Sequence, residues 1–153
     1  MNVNAFRITK TRFVSTAFDG EGARLYGGRW NSVGVRMVYL AGSLSSATLE
    51  LLVHTDDYST IIDLYSYFPV EIPESYIEQI DESLLPAGWN SPTAIGATQT
   101  LGDDWISSKS SVVLKVPSAI SSDENNFLVN PNHPDFSRLT IADPIKFELD
   151  PRI

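Results

Sequence analysis

The sequence predicts an α+β fold: one compact domain, a mixed short-stranded sheet with flanking helices. Three observations carry that reading. The 153 residues are the length of a single domain. Short β-branched and aromatic runs recur between turn residues. Helical stretches are few and do not alternate with strands in the βαβ order of a parallel sheet.

Taken in order, residues 4–9 and 12–15 read as short strands. Residues 16–34 hold Gly20, Gly22, Gly27, Gly28 and Gly34 and read as an ordered loop or bent strand pair. Residues 35–41 read as a buried strand. Residues 43–54 read as a helix with Ser43 as N-cap. At 100° per residue its Leu44, Ala47, Leu51 and Leu52 share a broad apolar side. Ser46, Glu50 and His54 form a narrow polar wedge. Residues 61–68 and 70–72 read as strand, 74–83 as a short acidic helix between prolines, and 92–108 as a helix. Val112–Val116, Phe127–Val129 and Ile145–Leu149 read as strands.

Composition narrows the chemistry. Apolar residues make up 42% and charged residues 20%, which is ordinary for a globular chain. No apolar run is long enough to span a membrane. Residues 1–15 lack a signal-peptide core, so a cytoplasmic location is expected. With no cysteine, disulfides, cysteine-ligated zinc and thiol nucleophiles are excluded. The net charge of −8 argues against non-specific nucleic-acid binding. That charge is uneven. Residues 1–53 carry six basic and three acidic side chains, and residues 54–104 carry ten acidic and no basic ones. The first third can therefore offer an anion site. The second reads either as a solvated acidic face or as a docking face for a basic partner.

Familiar site motifs are missing. Gly20-Glu21-Gly22 begins like a dinucleotide fingerprint, but Leu25 stands at its last position, and no P-loop follows Gly22 or Gly27. The two histidines, His54 and His133, are 79 positions apart, so no metal is expected. Chemistry is left to Arg, Glu, Tyr, Ser and Asn.

Four clusters offer it. In Gly27-Gly28-Arg29-Trp30-Asn31 the glycines allow close backbone approach, and Arg29 presents a planar fork suited to phosphate or carboxylate. A tight turn with a surface Arg and a core Trp fits the same residues. Tyr39 lies in a predicted strand, where a core tyrosine with a satisfied hydroxyl is the plain reading. Glu50 is a carboxylate on a mostly apolar helix, or part of a solvent stripe. Ser118 follows Val116-Pro117. Asn130 sits in an Asn- and Pro-rich run ending in His133-Pro134, where turns are the plain reading.

These clusters fall in a recognisable order. Gly27-Gly28-Arg29-Trp30-Asn31, Val38-Tyr39-Leu40-Ala41, Ala47-x-x-Glu50, Leu101-Gly102-x-x-Trp105, Val116-Pro117-Ser118, Asn126-x-Leu128-x-Asn130-Pro131 and Asp150-Pro151-Arg152 together resemble the RES-domain family, the toxins of RES–Xre toxin–antitoxin systems. The resemblance runs from about Phe6 to Arg152. It implies a single NAD⁺-degrading domain over 1–153, similar in fold to diphtheria-type ADP-ribosyltransferase toxins. It implies Arg29, Tyr39, Glu50 and Ser118 as catalytic, and NAD⁺ as substrate with no cofactor. It also implies a Xre-like helix-turn-helix antitoxin as partner. Arg7, Gly28, Asn31 and Asn130 are added as substrate-binding candidates. Direct nucleic-acid or membrane binding is not expected, and a homo-oligomer is left open.

The residue types suit that chemistry. Nicotinamide in NAD⁺ is cationic and leaves neutral, so no general acid is required. One carboxylate near the ribose can stabilise developing positive charge. Arg29 can grip the pyrophosphate, with Arg7 a weaker second. Tyr39 can stack on the nicotinamide ring, and Ser118 and Asn130 can hydrogen-bond ribose or phosphate. Water or phosphate could accept the ribosyl group. An ADP-ribosyltransferase with a macromolecular acceptor, or a binding module without turnover, fits the bare residues as well.

Overall fold

The computed structural model describes residues 1–54, 64–94 and 96–152. Its strands are β1 (Asn2–Lys10), β2 (Val38–Ala41), β3 (Tyr65–Pro73), β4 (Ile77–Gln79), β5 (Val113–Pro117), β6 (Asn125–Val129), β7 (Thr140–Ile141) and β8 (Ile145–Lys146). The α-helices are α1 (Glu21–Tyr26), α2 (Leu44–Val53) and α3 (Gly96–Ser108). The strands form one sheet ordered β4-β5-β6-β2-β1-β3-β7, with β8 also on β3. β4 and β5 run parallel and the other pairs antiparallel. The α+β expectation holds.

The central strands read as near-continuous apolar runs because both faces are covered. Val38, Leu40 and Ala41 of β2, Val113, Leu114 and Val116 of β5, and Phe127, Leu128 and Val129 of β6 are all buried. One cluster packs Ala5, Val38, Val70, Ile72, Phe127 and Val129 on one side. The other gathers Trp30, Met37, Trp105, Leu114, Val116 and Leu128. Trp30 and Trp105 thus bring the glycine-rich segment and α3 onto the sheet.

Several local expectations need correction. Residues 12–15 belong to a 3-10 turn, Thr11–Thr16. The β1–β3 ladder ends at Lys10 opposite Tyr65, and the chain beyond it has no strand to pair with. Residues 16–34 contain helix α1, which begins after Gly20 at φ 74° and ends at Gly27 at φ 71°. The Asp19 carboxylate accepts from the Glu21 N–H and closes its first turn. Residues 74–83 are not one helix but two short 3-10 turns, Glu74–Tyr76 and Glu82–Leu84, around β4. The parallel pairing of β4 with β5 outweighs local helix preference there. The helix expected over 92–108 is Gly96–Ser108. Val38–Ala41 and Ile145–Lys146 are shorter than the strands expected. Residues 61–63 of the strand expected over 61–68 lie outside the described residues.

The helix over Leu44–Val53 matches its expectation. The Ser43 hydroxyl accepts from the Ser46 N–H at 3.0 Å and donates to Glu124 Oε1 at 2.7 Å. The cap therefore also ties α2 to the loop before β6.

Candidate active site

The site forms where the sheet splits. β1 and β2 share one registered pair, Phe6 opposite Ala41. Beyond it the Arg7 side chain replaces main-chain pairing. Its Nη1 donates to Tyr39 O at 3.3 Å and its Nε to Ala17 O at 2.7 Å. Helix α2 covers the split. The result is a cleft of about 190 Å³ lined by Arg7, Tyr39, Ala47, Glu50 and Leu51, with β1 and β2 backbone around them.

Glu50 is half-buried there. Of the polar wedge on α2, Ser46 is 2% exposed, Glu50 is partly covered, and only His54 is open to solvent. The wedge therefore faces into the protein along most of its length and is not a solvent stripe. Glu50 Oε1 accepts from Asn126 Nδ2 of β6 at 2.7 Å. Burial pushes the Glu50 carboxyl above the ordinary glutamate range. The Asn126 hydrogen bond and the charges of His54 and Arg29 oppose that shift.

Arg7 lines the same cleft as Glu50. Burial lowers its guanidinium to about 10, partly offset by the Asp19 charge. At neutral pH it still carries its charge, so the cleft holds a half-buried cation and a half-buried carboxyl group.

The glycine-rich segment forms a tight turn, with Gly28 bridged to Asn31. Two elements hold it. From β2, the Tyr39 hydroxyl donates to Asn31 Oδ1 at 2.5 Å and accepts from the Trp30 N–H at 3.1 Å. Burial pushes that hydroxyl well above the usual tyrosine range, so it stays protonated and keeps its donor role. From α3, Thr98 Oγ1 donates to Arg29 O at 2.7 Å and Gln99 Nε2 to Gly28 O at 3.0 Å. The Asp103 carboxylate accepts from the Ser32 N–H and hydroxyl. Positions 98, 99, 102 and 103 lie on one helical face. Gly102 sits against the turn so closely that a Cβ would fall 1.7 Å from Trp30 O. At Gly28 a Cβ would fall 2.7 Å from the Tyr39 hydroxyl.

Each candidate residue can now be placed. Arg7, Tyr39 and Glu50 line one cleft, and the Arg29 charge is close enough to act on both Glu50 and Tyr39. The Arg29 fork, expected on a phosphate, donates to Trp89 O at 2.8 Å and Ser91 O at 2.7 Å. Asn31 is fully buried, and its amide donates to Ala23 O, Ser32 O and Val35 O. With Gly28 it shapes the turn beneath Tyr39. The Ser118 hydroxyl accepts from the Ile120 and Ser121 N–H groups. Asn130 Oδ1 accepts from the Asn132 N–H. Ser118 pairs with Glu124 before β6 and Asn130 with Val112 after it. Those two sites are thus separated by the full strand, roughly 17–20 Å at about 3.3 Å per residue.

Sequence reasoning left Asn126, Thr98, Gln99 and Asp103 out of the site. All four act across more than 65 positions of chain, and no local pattern marks such contacts. Part of the acidic run is also spent internally. Asp103 serves Ser32, Glu78 accepts from Ser110 and Ser111, and Asp81 caps Ser83.

The RES domain family model matches residues 4–150. A protein named Toxin Res from Yersinia enterocolitica is 40% identical over 149 residues, covering 97% of each chain. A Toxin Res from Photorhabdus laumondii is 38% identical, covering 97% of this chain and 95% of the relative. A Prs ADP-ribosylating toxin from Sphingobium is 35% identical over 137 residues, covering 88% and 84%. The toxin–antitoxin complex MbcT–MbcA of M. tuberculosis contains a chain of similar fold. Its TM-score is 0.78 at 16% identity, covering 96% of this chain and 85% of that one. With a family match spanning nearly every residue and relatives aligned almost end to end, this chain belongs to the RES-domain family.

Proposed function

We propose that the protein is the toxin of a toxin–antitoxin pair and acts by cleaving the nicotinamide–ribose bond of NAD⁺. The observation that carries this reading is the cleft itself. Two half-buried groups of opposite charge, the Glu50 carboxyl and the Arg7 guanidinium, line it together with Tyr39.

In the reaction the C–N glycosidic bond breaks, and its electron pair stays on the nicotinamide nitrogen, which leaves neutral. Positive charge grows on the ribose. An ionised Glu50 stabilises it electrostatically, where low dielectric strengthens the effect. Water then forms the new C–O bond and releases a proton, or phosphate adds in its place. Arg7 offers charge to the pyrophosphate. Arg29 can join it once its fork leaves the Trp89 and Ser91 carbonyls. The Tyr39 face is available to the cationic ring. Asn31 and Gly28 keep Tyr39 in place. In this reading Ser118 and Asn130 act through the loops they order.

The test is nicotinamide release by the purified chain, with the ribosyl product identified in the presence and absence of phosphate. Glu50→Gln should remove most turnover in a folded protein; full activity in that variant would sink the role of Glu50. The Sphingobium relative, named an ADP-ribosylating toxin, favours a second reading in which a macromolecule accepts the ADP-ribose. Label transferred from adenine-labelled NAD⁺ to a macromolecule, in place of bulk NAD⁺ loss, would establish it. An antitoxin partner is supported by the complex in which the similar fold occurs, and a Xre-like helix-turn-helix protein is the partner to test by co-purification.

A further inference from the structure

We propose that Asn126 is the positioning residue of the Glu50 carboxyl group, holding it in one orientation in the cleft and favouring its ionised form. The proposal rests on the reading of Glu50 as the charge-stabilising group.

Asn126 sits in the middle of the sheet. Its backbone is registered to Ala41 of β2 on one side and to Val116 of β5 on the other. A side chain rooted between two ladders has little freedom, so its donor is fixed in space. Nδ2 meets Glu50 Oε1 at 2.7 Å, the short distance of a charge-assisted bond. The other end of the amide has no such use. Asn126 Oδ1 is buried and has no hydrogen-bond partner among the described residues, although Asn126 is only 9% exposed. An unpaired buried acceptor opposes folding, and asparagine is a poor strand residue. An apolar side chain would serve the sheet better. The feature this amide adds is the donor to Glu50.

Two other groups act on Glu50 as charges at longer range, His54 at the end of its own helix and Arg29 from the glycine-rich turn, while Arg7 of β1 lines the same cleft. Tyr39 of β2 lines the same space. None of them fixes a carboxylate oxygen as the amide does.

The experiment compares the wild-type chain with Asn126→Leu and Asn126→Asp. Glu50 titration is followed by NMR on glutamate labelled at the side-chain carbonyl carbon, with Glu50→Gln giving the assignment. Nicotinamide release and thermal denaturation are measured in parallel. In Asn126→Leu, Glu50 should titrate about one to two pH units higher, the worth of a hydrogen bond to a charged group. In Asn126→Asp two carboxyl groups share the site, and titration should move higher still. The acid limb of kcat should follow by the same amount, with KM little changed and the Leu variant no less heat-stable than wild type at low pH. Unmoved titration of Glu50 in a folded Asn126→Leu would overturn the proposal. Should that variant not fold, unmoved titration in the isosteric Asp variant overturns it equally. Absence of nicotinamide release from the wild type would defeat the NAD⁺ reading alone, because the titration still decides the role of Asn126.

Discussion

The Tyr39 hydroxyl bridges Asn31 Oδ1, 2.5 Å away, and the Trp30 N–H, 3.1 Å away. One phenol thus satisfies two groups of the arginine-bearing turn, and both residues that it ties down are buried. Tyr39→Phe keeps the ring and removes the bridge. The buried acceptor and N–H lose a partner, a cost of about 1–3 kcal/mol. For a chain this long that lowers Tm by about 2–12 °C. Thermal denaturation checks the loss, and nicotinamide release by Tyr39→Phe should fall with the order of the turn.

Gly28→Ala should disrupt the same bridge from the other side, because its Cβ would fall within 2.9 Å of both the Tyr39 hydroxyl and Asn31 Oδ1. Overpacking of this kind costs about 1–3 kcal/mol. Gly22→Ala is the control. Nothing lies within 4 Å of its Cβ, and it sits inside helix α1, so a gain of about 0.5–1 kcal/mol is expected. Denaturant unfolding of the two variants should move in opposite directions.

Arg29→Ala removes two hydrogen bonds to the carbonyls of Trp89 and Ser91 and frees a segment whose Trp89 ring packs 5.9 Å from Trp30. Nicotinamide release should drop roughly 10–100-fold, the worth of one lost bond from a charged group. Arg29→Lys should recover little, since a single ammonium cannot span two acceptors as the fork does. Recovery to wild-type rate in Arg29→Lys would mean that charge alone matters.

Glu50 predicts two pH effects. Burial holds its carboxyl above the ordinary range, so the acid limb of NAD⁺ cleavage should lie at higher pH than a solvated glutamate would give. The folded state also binds this proton more tightly than the unfolded chain. Its contribution to stability is complete below the unfolded value, about 4.3, and is lost as pH rises through the folded one. Glu50→Gln should therefore melt higher than wild type at neutral pH, with the gap closing in acid. Parallel melting curves across pH check both ends.

Ser118→Ala frees the N–H groups of Ile120 and Ser121. We expect a stability loss of about 1 kcal/mol and a smaller fall in turnover than in Glu50→Gln. Turnover lost as completely as in Glu50→Gln, in a folded protein, would make Ser118 a direct participant.

The parts of this site that were legible in the sequence are those written locally. Ser43 caps α2 through a bond three residues away, and the wedge of Ser46, Glu50 and His54 follows from helical spacing alone. The glycine-rich turn was legible as a turn, but helix α1 inside it was not, because it is only six residues long and carries Gly22. The acidic stretch after Pro73 misled for a tertiary reason, the pairing of β4 with β5. The Asn126 contact was illegible for the same kind of reason. Nothing near residue 126 announces a glutamate 76 positions earlier.

That separation has a consequence for the order of synthesis. A ribosome that has made the first 120 residues has already made Arg7, Arg29, Tyr39 and Glu50. It has not made β6, the strand that joins β5 to β2 and brings Asn126 to the carboxylate. Until that strand is threaded into the centre of the sheet, β2 lacks one neighbour and Glu50 lacks its amide. A nascent chain, or one cut short before residue 125, carries these candidate side chains without the strand that completes their scaffold. Under the proposed NAD⁺ cleavage, such late assembly delays activity until the last central strand is in place.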